Sequence, residues 1–448
     1  DVVFVSAMHV QQESMRKIVR RCKQMGKRVV VGGPYISTSP HVAPEADHIF
    51  LGEAEETLPD FVRDLQEGTP RRVYQAGQRP DLTTSPIPEF RLIPLRHYLA
   101  MPLQYSRGCP FRCEFCDIIE IYGRVPRTKS NPQMLAELDA LKASGWRGMT
   151  FIVDDNFIGN KRNVRSFMPH LIEWSERNGR PFSYTTEASI NLADDDELLK
   201  EMREAGFRRV FIGIETPDEE SLHECQKGQN TRRNLLDAVR KVQSYGMEVM
   251  AGFIVGFDHD REDIFDRQID FIQSGAIPLA MVGLLTALPD TQLWRRLERE
   301  GRLLHDTSGN NTDLSLNFVP RMDAGRLVEG YLRILRTLYS ADGFYERALE
   351  CLRRVGPGLP EPFGGGIFKV LATVGRTLLT LGWRDKERGK FWSFLGQVFS
   401  KHRQQIPQAI ILAAMGYHFR KLTELLPEEG ALTAAYELAH AEAAKQSA

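Results

Sequence analysis

The chain has 448 residues, a formal net charge of -1 and an apolar share of 42%. That length allows two or three domains, the apolar share is that of an ordinary globular protein, and the near-neutral charge gives no reason to expect nucleic acid or another polyanion as a partner. No apolar run reaches the roughly eighteen residues that a membrane span needs, and six cysteines without a pairing rhythm point to a reducing, cytoplasmic setting.

Residues 1–75 read as alternating strands and helices: an apolar strand Val2 to Val5, a helical stretch Gln11 to Met25, a strand Arg28 to Val31, then Ile49 to Leu51 and another helix. Strand–helix–strand at this spacing predicts a parallel sheet. Gly32 and Gly33 close the second strand, where glycines let a ligand approach the backbone. The chain starts at Asp1 directly in a strand-like run, so an N-terminal portion of this domain is expected to be missing. Residues 76–100 hold Pro80, Pro86, Pro88 and Pro94 and read as an interdomain linker.

Across residues 101–303 six strand patterns recur, each followed by a helical one: Pro102 to Ser106, Met149 to Asp154, Phe182 to Ala188, Val210 to Glu215, Val249 to Phe257 and Ala280 to Ala287. Six β/α repeats suit a partial (β/α)6 barrel of the TIM type, with its chemistry at the C-terminal strand ends. Residues 304–448 are helical, with breaks at Gly356-Pro357-Gly358 and Gly364-Gly365-Gly366. Between Gly366 and Lys421 stand ten Lys or Arg and two acids. The same stretch holds Ile367-Phe-Lys-Val370, Phe391-Trp-Ser-Phe394 and Ile410-Ile-Leu412, a composition that suits either the solvated face of a helical domain or docking on an anionic membrane.

Cys109, Cys113 and Cys116 follow the first barrel strand, which places them on the catalytic face. Three thiolates within eight residues can hold an iron–sulfur cluster. An electron-carrying 4Fe-4S cluster takes four cysteines, so a C-x3-C-x2-C triad with no fourth cysteine nearby leaves one iron open. The alternatives are a structural zinc, which normally wants four ligands, and three inert cysteines. Cys22, Cys225 and Cys351 are isolated and expected to fill core space.

The later strand ends carry further groups. Asp154-Asp155-Asn156 closes the second strand and can accept hydrogen bonds from an ammonium or turn the chain into the next helix. Glu187 ends the third strand and Glu215 the fourth, where a carboxylate can accept from ribose hydroxyls, cap a helix or pair on the surface. Arg124, Arg127 and Lys129, just after the triad, suit an anion clamp or a solvated loop. His9, after the first strand, reads as a polar loop histidine, with a cobalt neighbour as the sharper alternative.

The triad, with Phe115 before its last cysteine, resembles the radical S-adenosylmethionine (radical SAM) superfamily, whose open iron chelates the methionine moiety of SAM. The resemblance implies that Asp154, Asp155 and Asn156 stand where the family's Gly-Gly-Glu motif receives the methionine amino group, and that Glu215 is the ribose ligand. Gly252, Ile254 and Gly256 match a G-x-I-x-G pattern around the adenine. Ala287-Leu288-Pro289 falls where backbone groups meet that ring. Gly32-Gly33-Pro34 and Gly52-Glu-Ala-Glu55 resemble the second half of the cobalamin-binding domain of one branch. Cys116 to Arg124, Phe151 to Gly159 and the helical tail are similar to cobalamin-dependent methylases with a C-terminal domain of unknown function, relatives of the hopanoid C-2 methylase.

The fold that follows is α/β: a partial Rossmann-like cobalamin domain, a radical SAM barrel and a helical tail. The implied cofactors are a 4Fe-4S cluster, SAM and cobalamin. The implied function is C-methyl transfer to an unactivated carbon through a 5'-deoxyadenosyl radical. A cobalamin-associated oxidoreductase or cyclase without methyl transfer, and a non-catalytic cobalamin- or iron–sulfur-binding regulator, stand as alternatives. The expected partners are a small-molecule substrate, with a lipidic one reached from a membrane surface as the sharper reading, and a low-potential electron donor such as flavodoxin or ferredoxin; no nucleic acid is expected.

Overall fold

The structure is a computed structural model and describes residues 1–307, 309, 314–358, 362 and 366–427, without the side chains of residues 366–370. In chain order, β1 (Val2–Ser6), α1 (Gln12–Gln24), β2 (Arg28–Gly32), α2 (Pro34–Thr38), β3 (His48–Leu51), α3 (Thr57–Gln66) and β4 (Val73–Gln75) make the first layer. The four strands pair in sequence order and in parallel, Val2 with Arg28 and Ile49 with Val73 among them. β2 is apolar at three successive positions, Val29, Val30 and Val31, all buried, as a strand covered on both faces requires. Met15 and Val19 of α1 pack with Val29 and Val31 on one face, while Phe50, Phe61 and Tyr74 pack with Val30 on the other.

β5 (Met101–Leu103) precedes a short antiparallel pair, β6 (Ser106–Arg107) and β7 (Arg127–Thr128), with α4 (Ile118–Ile121) between them. Then come α5 (Asn131–Ala143), β8 (Gly148–Ile152), α6 (Lys161–Arg177), β9 (Phe182–Glu187), α7 (Asp196–Ala205), β10 (Phe207–Glu215), α8 (Glu219–Glu224), α9 (Leu235–Ser244), β11 (Glu248–Val255), α10 (Ile264–Ser274), β12 (Ala280–Leu284) and α11 (Gln292–Arg299). The sheet order is β12-β11-β10-β9-β8-β5, every pair parallel. All six expected barrel strands are present. Helix ends follow local chemistry: Ser130 and Gln133 form a capping box on α5, and Gly206, at φ 110°, ends α7 in the left-handed region that glycine tolerates.

The tail comprises α12 (Ala324–Tyr339), α13 (Ala341–Val355), α14 (Gly366–Leu379), α15 (Arg388–Lys401) and α16 (Ile406–Thr423). Arg347, 1% exposed, donates to the carbonyls of Ile277, Pro278 and Leu338 and so ties α13 to the loop before β12. Gly356, at φ 66°, follows the end of α13. The Gly364-Gly365 half of the second break, and the side chains of Ile367 to Val370, lie outside the described residues.

Phe391 and Phe394, read from sequence as part of an amphipathic membrane face, are instead 1% and 2% exposed. They stand three apart on α15 and face the other tail helices, where Phe394 stacks on Tyr345. Cys225 and Cys351 are buried, and Cys22 packs on the first sheet's core.

The chain divides into two compact units. One holds residues 1–86, 106–129 and 286–319, and the other holds 87–105, 130–285 and 320–448. The cysteine loop therefore belongs to the same unit as the first sheet. Within the segment read as a linker, Leu82 and Phe90 are buried.

Candidate cofactor sites

In the first unit, β6 and β7 close the cysteine loop at its base. Gly108, at φ 96°, has no room for a side chain, since a Cβ would stand 2.8 Å from the Gly123 carbonyl oxygen. That carbonyl accepts the Cys109 N–H at 3.2 Å, and the Cys113 carbonyl accepts the Cys116 N–H at 3.1 Å. Cys113 is buried, Cys109 and Cys116 are half-buried, and none of the three is in a disulfide. Burial, then the Asp117 carboxylate, then the thiols of Cys113 and Cys109, push the Cys116 thiol well above its ordinary range. Cys113 and Cys109 thus lie within electrostatic reach of Cys116, and cysteines ligate a metal centre as thiolates.

Among the described residues, no three His, Cys, Asp or Glu side chains gather at the spacing of a single metal ion. A 4Fe-4S cube is ligated one cysteine per iron, and the loop supplies three cysteines outside any disulfide. Phe115 is half-buried in this loop. Glu114 is buried and paired with Arg296 of α11 at 2.5 Å, and its carbonyl accepts from Leu293 N.

The first sheet presents its C-terminal edge to a pocket of about 320 Å3, lined by Ser37, Thr38, Gly52, Glu53, Arg79 and Glu120 among others. Ligands of parallel sheets bind at such an edge. Gly52, at φ 80°, has nothing within 4 Å of a notional Cβ, so the pocket reaches the backbone there. Gly33 is a different case. Its Cβ would stand 2.5 Å from Ser6 Oγ and 2.8 Å from Ala7 N, so the chain's own loop demands that glycine. A Cβ on Gly32 would meet Phe50 Cβ at 3.3 Å.

His9 is buried at 7% exposure, with Nε2 3.0 Å from Thr38 Oγ1 and its ring edge-on to Tyr35. Burial lowers its pKa, against the pull of Asp117 and Asp306. It is therefore a packed residue rather than a solvated loop histidine. Leu288 is half-buried, and its carbonyl accepts from Thr291 Oγ1 at 2.7 Å where α11 begins.

The second unit holds the other strand ends. Asp154 is 1% exposed and its Oδ1 accepts the Tyr105 N–H at 2.7 Å, which fastens β8 to the strand beside it. Asn156 is also buried; its Oδ1 accepts the Ser189 N–H at 3.2 Å and its Nδ2 donates to Ser189 Oγ at 3.1 Å, joining the ends of β8 and β9. Glu187 stands beside these groups. Burial first, then the carboxylates of Asp155 and Asp154, push its pKa up to about 7.

Glu215 sits at φ 67°, where the β10–β11 register shifts between Gly213 and Glu215. This left-handed position turns the carboxylate out of the strand's alternation, and Lys227 meets it in an ion pair. Gly213 makes the pair possible, because a Cβ there would lie 2.6 Å from Lys227 Nζ. Asn230 donates to the carbonyls of Gly213 at 3.1 Å and Ile214 at 2.9 Å, holding the same turn.

On β11, a Cβ at Gly252 would meet the Phe211 ring at 3.2 Å and one at Gly256 would meet Leu327 at 3.1 Å. The Ile254 carbonyl accepts from Gln268 at 2.7 Å. Asp260 accepts the N–H groups of Gly256 and Phe257.

Of the basic residues after the triad, Arg127 is already engaged. Its guanidinium meets Glu53 at 2.7 Å. Lys227 and Arg296 were missed in the sequence, and Glu53 was marked only as part of the Gly52-Glu-Ala-Glu55 run, without its arginine partners.

Comparisons with known proteins bear on these sites. Residues 1–62 match the B12 binding domain, residues 103–272 the radical SAM superfamily, and residues 291–430 a domain of unknown function, DUF4070. An uncharacterized methyltransferase of Synechocystis sp. is 41% identical over 96% of this chain and 81% of its own length. The hopanoid C-2 methylase of Rhodopseudomonas palustris is 36% identical over 88% of this chain and 76% of its own. The solved methyltransferase TsrM of Kitasatospora setae, with cobalamin and a 4Fe-4S cluster bound, shares the fold at a TM-score of 0.60 and 15% identity, covering 92% of this chain and 88% of that one. The cobalamin-dependent radical enzyme OxsB, with cobalamin and SAM bound, does so at 0.56 and 17%, covering 95% and 72%. Three cysteines in one loop, folded into one unit with an open parallel-sheet edge, are what the sequence relationships lead one to expect: the chain belongs to the radical SAM superfamily, in its branch with a B12-binding domain, whose cofactors are a 4Fe-4S cluster, SAM and cobalamin.

Proposed function

We propose that this enzyme transfers a methyl group to an unactivated carbon of a hydrophobic, polyisoprenoid-like acceptor. The observation that carries the reading is the placement of the Cys109–Cys116 loop in one compact unit with a B12-type sheet whose C-terminal edge opens into a pocket of about 320 Å3. When bound, SAM at the cluster supplies the oxidising power for hydrogen-atom abstraction and cobalamin supplies the methyl group, so the protein's task is to bind, orient and exclude water.

Cys109, Cys113 and Cys116 would ligate three irons. Glu215, held by Lys227 and the left-handed turn, presents a fixed carboxylate for the ribose hydroxyls of SAM. Glu187, with a pKa near 7, can hold a proton at its carboxyl and so donate as well as accept toward the same ligand. Asp154 fastens β8 to the strand beside it and Asn156 joins the ends of β8 and β9, and with Asp155 they make up the polar group that would meet the methionine amino group. Gly52 keeps the sheet edge open for cobalamin, and Gly32 and Gly33 shape that edge by close packing. A low-potential flavodoxin- or ferredoxin-type donor would supply the electrons.

The lipidic acceptor is supported by the tail's surface. Leu371, Leu379, Trp383, Trp392 and Phe399 are all exposed large apolar groups, within a stretch that carries ten bases and two acids. That combination fits an anionic bilayer. No helix among the described residues is long and apolar enough to cross one.

Anaerobic incubation of the full-length protein with cobalamin, a strong reductant, methyl-deuterated SAM and a lipid extract tests the reading. The expected product carries a CD3 group in place of one hydrogen by mass spectrometry, with 5'-deoxyadenosine formed alongside it. Deoxyadenosine production with an acceptor that changes without gaining a methyl would refute methyl transfer and favour oxidation or cyclisation.

A further inference from the structure

β6 and β7 place Arg107 directly opposite Arg127. Like charges at facing positions of an antiparallel pair repel, and the structure resolves that repulsion with a carboxylate from elsewhere. Glu53, whose side chain is 4% exposed, accepts from Arg107 Nη1 at 2.7 Å and from Arg127 at 2.7 and 3.1 Å. Glu55 meets Arg107 at 2.7 Å. Both acids lie just beyond β3 of the B12-type sheet.

Arg127 also donates to the carbonyls of Pro80 at 2.6 Å and Tyr122 at 3.2 Å. A second arm reaches the same loop from the segment after β4. Arg79 donates to the carbonyls of Glu120 at 2.9 Å and Ile121 at 3.2 Å, which are orphan acceptors at the end of α4. Its guanidinium lies where a Cβ on Gly123 would be, 2.8 Å away. The loop between Arg107 and Arg127, with its three cysteines, is thus gripped near its base and at its α4 shoulder by the sheet's edge. Glu53, Arg79, Glu120 and Ile121 are at the same time walls of the pocket on that edge.

We propose that Glu53 and Arg79 are positioning residues that couple occupancy of this pocket to the cluster loop, so that cobalamin binds more tightly when the cluster is present. The coupling deepens, and rests on, the reading above that cobalamin occupies the sheet's edge. A group that fills the pocket presses on the residues that fix the loop, and a loop fixed by its cluster holds those residues in place; the two binding free energies must then depend on each other reciprocally.

The test is anaerobic equilibrium dialysis of hydroxocobalamin against full-length protein, with and without its reconstituted cluster, in wild type, Glu53→Gln and Arg79→Met. The quantity read is the ratio of the two dissociation constants. Wild type is expected to bind at least about fivefold more tightly with the cluster, the lower end of ordinary coupling, and both variants are expected to fall towards a ratio of one. A side chain that only touches cobalamin, or only stabilises the fold, would change both constants together and leave the ratio alone.

A wild-type ratio of one overturns the coupling, as does a wild-type ratio in Glu53→Gln. Arg79 is exposed and its replacement leaves the buried acids in place, so Arg79→Met decides the question if Glu53→Gln does not fold. Cobalamin bound with no coupling refutes this inference alone, whereas no cobalamin binding refutes the functional reading and the inference with it.

Discussion

Glu187 offers a pH signature that can be worked out from its surroundings. Its carboxyl is moved from 4.5 to about 7, by burial first and then by Asp155 and Asp154. A displacement of that size corresponds to roughly 3 kcal/mol between the protonated and ionised folds, at about 1.4 kcal/mol per pH unit. Below pH 4.5 the group is protonated in both folded and unfolded chains and nothing is lost. Between 4.5 and about 7 the unfolded chain gives up the proton that the folded chain keeps, so stability falls as pH rises, and above about 7 the loss levels off at its full value. Glu187→Gln keeps the shape and cannot ionise, so it escapes the penalty. Thermal unfolding of cofactor-free protein across pH 5 to 8 should show the variant close to wild type at the acid end and a few °C more stable at pH 8. A difference that does not change with pH, or one in which wild type gains on the variant as pH rises, would refute the account. The same proton bears on function: if Glu187 accepts from the ribose of SAM, binding should tighten as pH rises through 7 in wild type and be flat in Glu187→Gln.

Three further outcomes follow from the site. Cys113→Ala should abolish reductive SAM cleavage, measured as 5'-deoxyadenosine, because two thiolates and a methyl cannot hold three irons; full turnover in that variant would remove the triad from catalysis. Glu215→Ala should weaken SAM binding by the roughly 1.5 to 3 kcal/mol of a lost charged hydrogen bond, and both Glu215→Ala and Lys227→Met should destabilise the second unit by about 3 to 5 kcal/mol, since each strands a partner that is 9% or 11% exposed; calorimetry of the cofactor-free variants reads that loss apart from SAM binding. Co-sedimentation with anionic vesicles at low salt should be reduced several-fold by the joint change Trp383→Ser and Phe399→Ser. Lys390 should matter less to it, because that ammonium is already paired with Asp342 at 2.6 Å, and binding that survives the double change unaltered would refute the docking face.

What was legible in the sequence was what repeats or what is local. Strands such as Val29 to Val31 and Val249 to Val255 announce themselves because a parallel strand buried on both faces must be apolar along its length. The triad announces itself because three thiolates so close in sequence have few other uses. The reading faltered where a residue's role is set by a partner far along the chain. Arg107 lies 54 residues from Glu53, and Arg127 lies 74 from it, so Arg127 read as part of an anion clamp or of a solvated loop when its charge was already engaged. Gly32 and Gly33 read as places where a ligand approaches the backbone, but the atoms nearest a Cβ there are Phe50 for Gly32 and Ser6 and Ala7 for Gly33. Phe391 and Phe394 share the helical spacing of a membrane face and of a core, and only the packing of α15 separates the two.

Asp154 and Glu187 make the physical distinction clear. Both are carboxylates at C-terminal ends of barrel strands, and the sequence treats them alike. Asp154 has its oxygen committed to a backbone N–H at 2.7 Å, so its replacement should first loosen the sheet. Glu187 is half-buried beside like charges and keeps its proton up to about pH 7, a condition that a fold has no reason to maintain for its own stability. A group whose placement costs about 3 kcal/mol at neutral pH is better explained by what it binds than by what it holds together. By that reasoning Glu187 ranks above Asp154 as a ligand-facing carboxylate, although the family pattern in the sequence pointed first to the residues after β8.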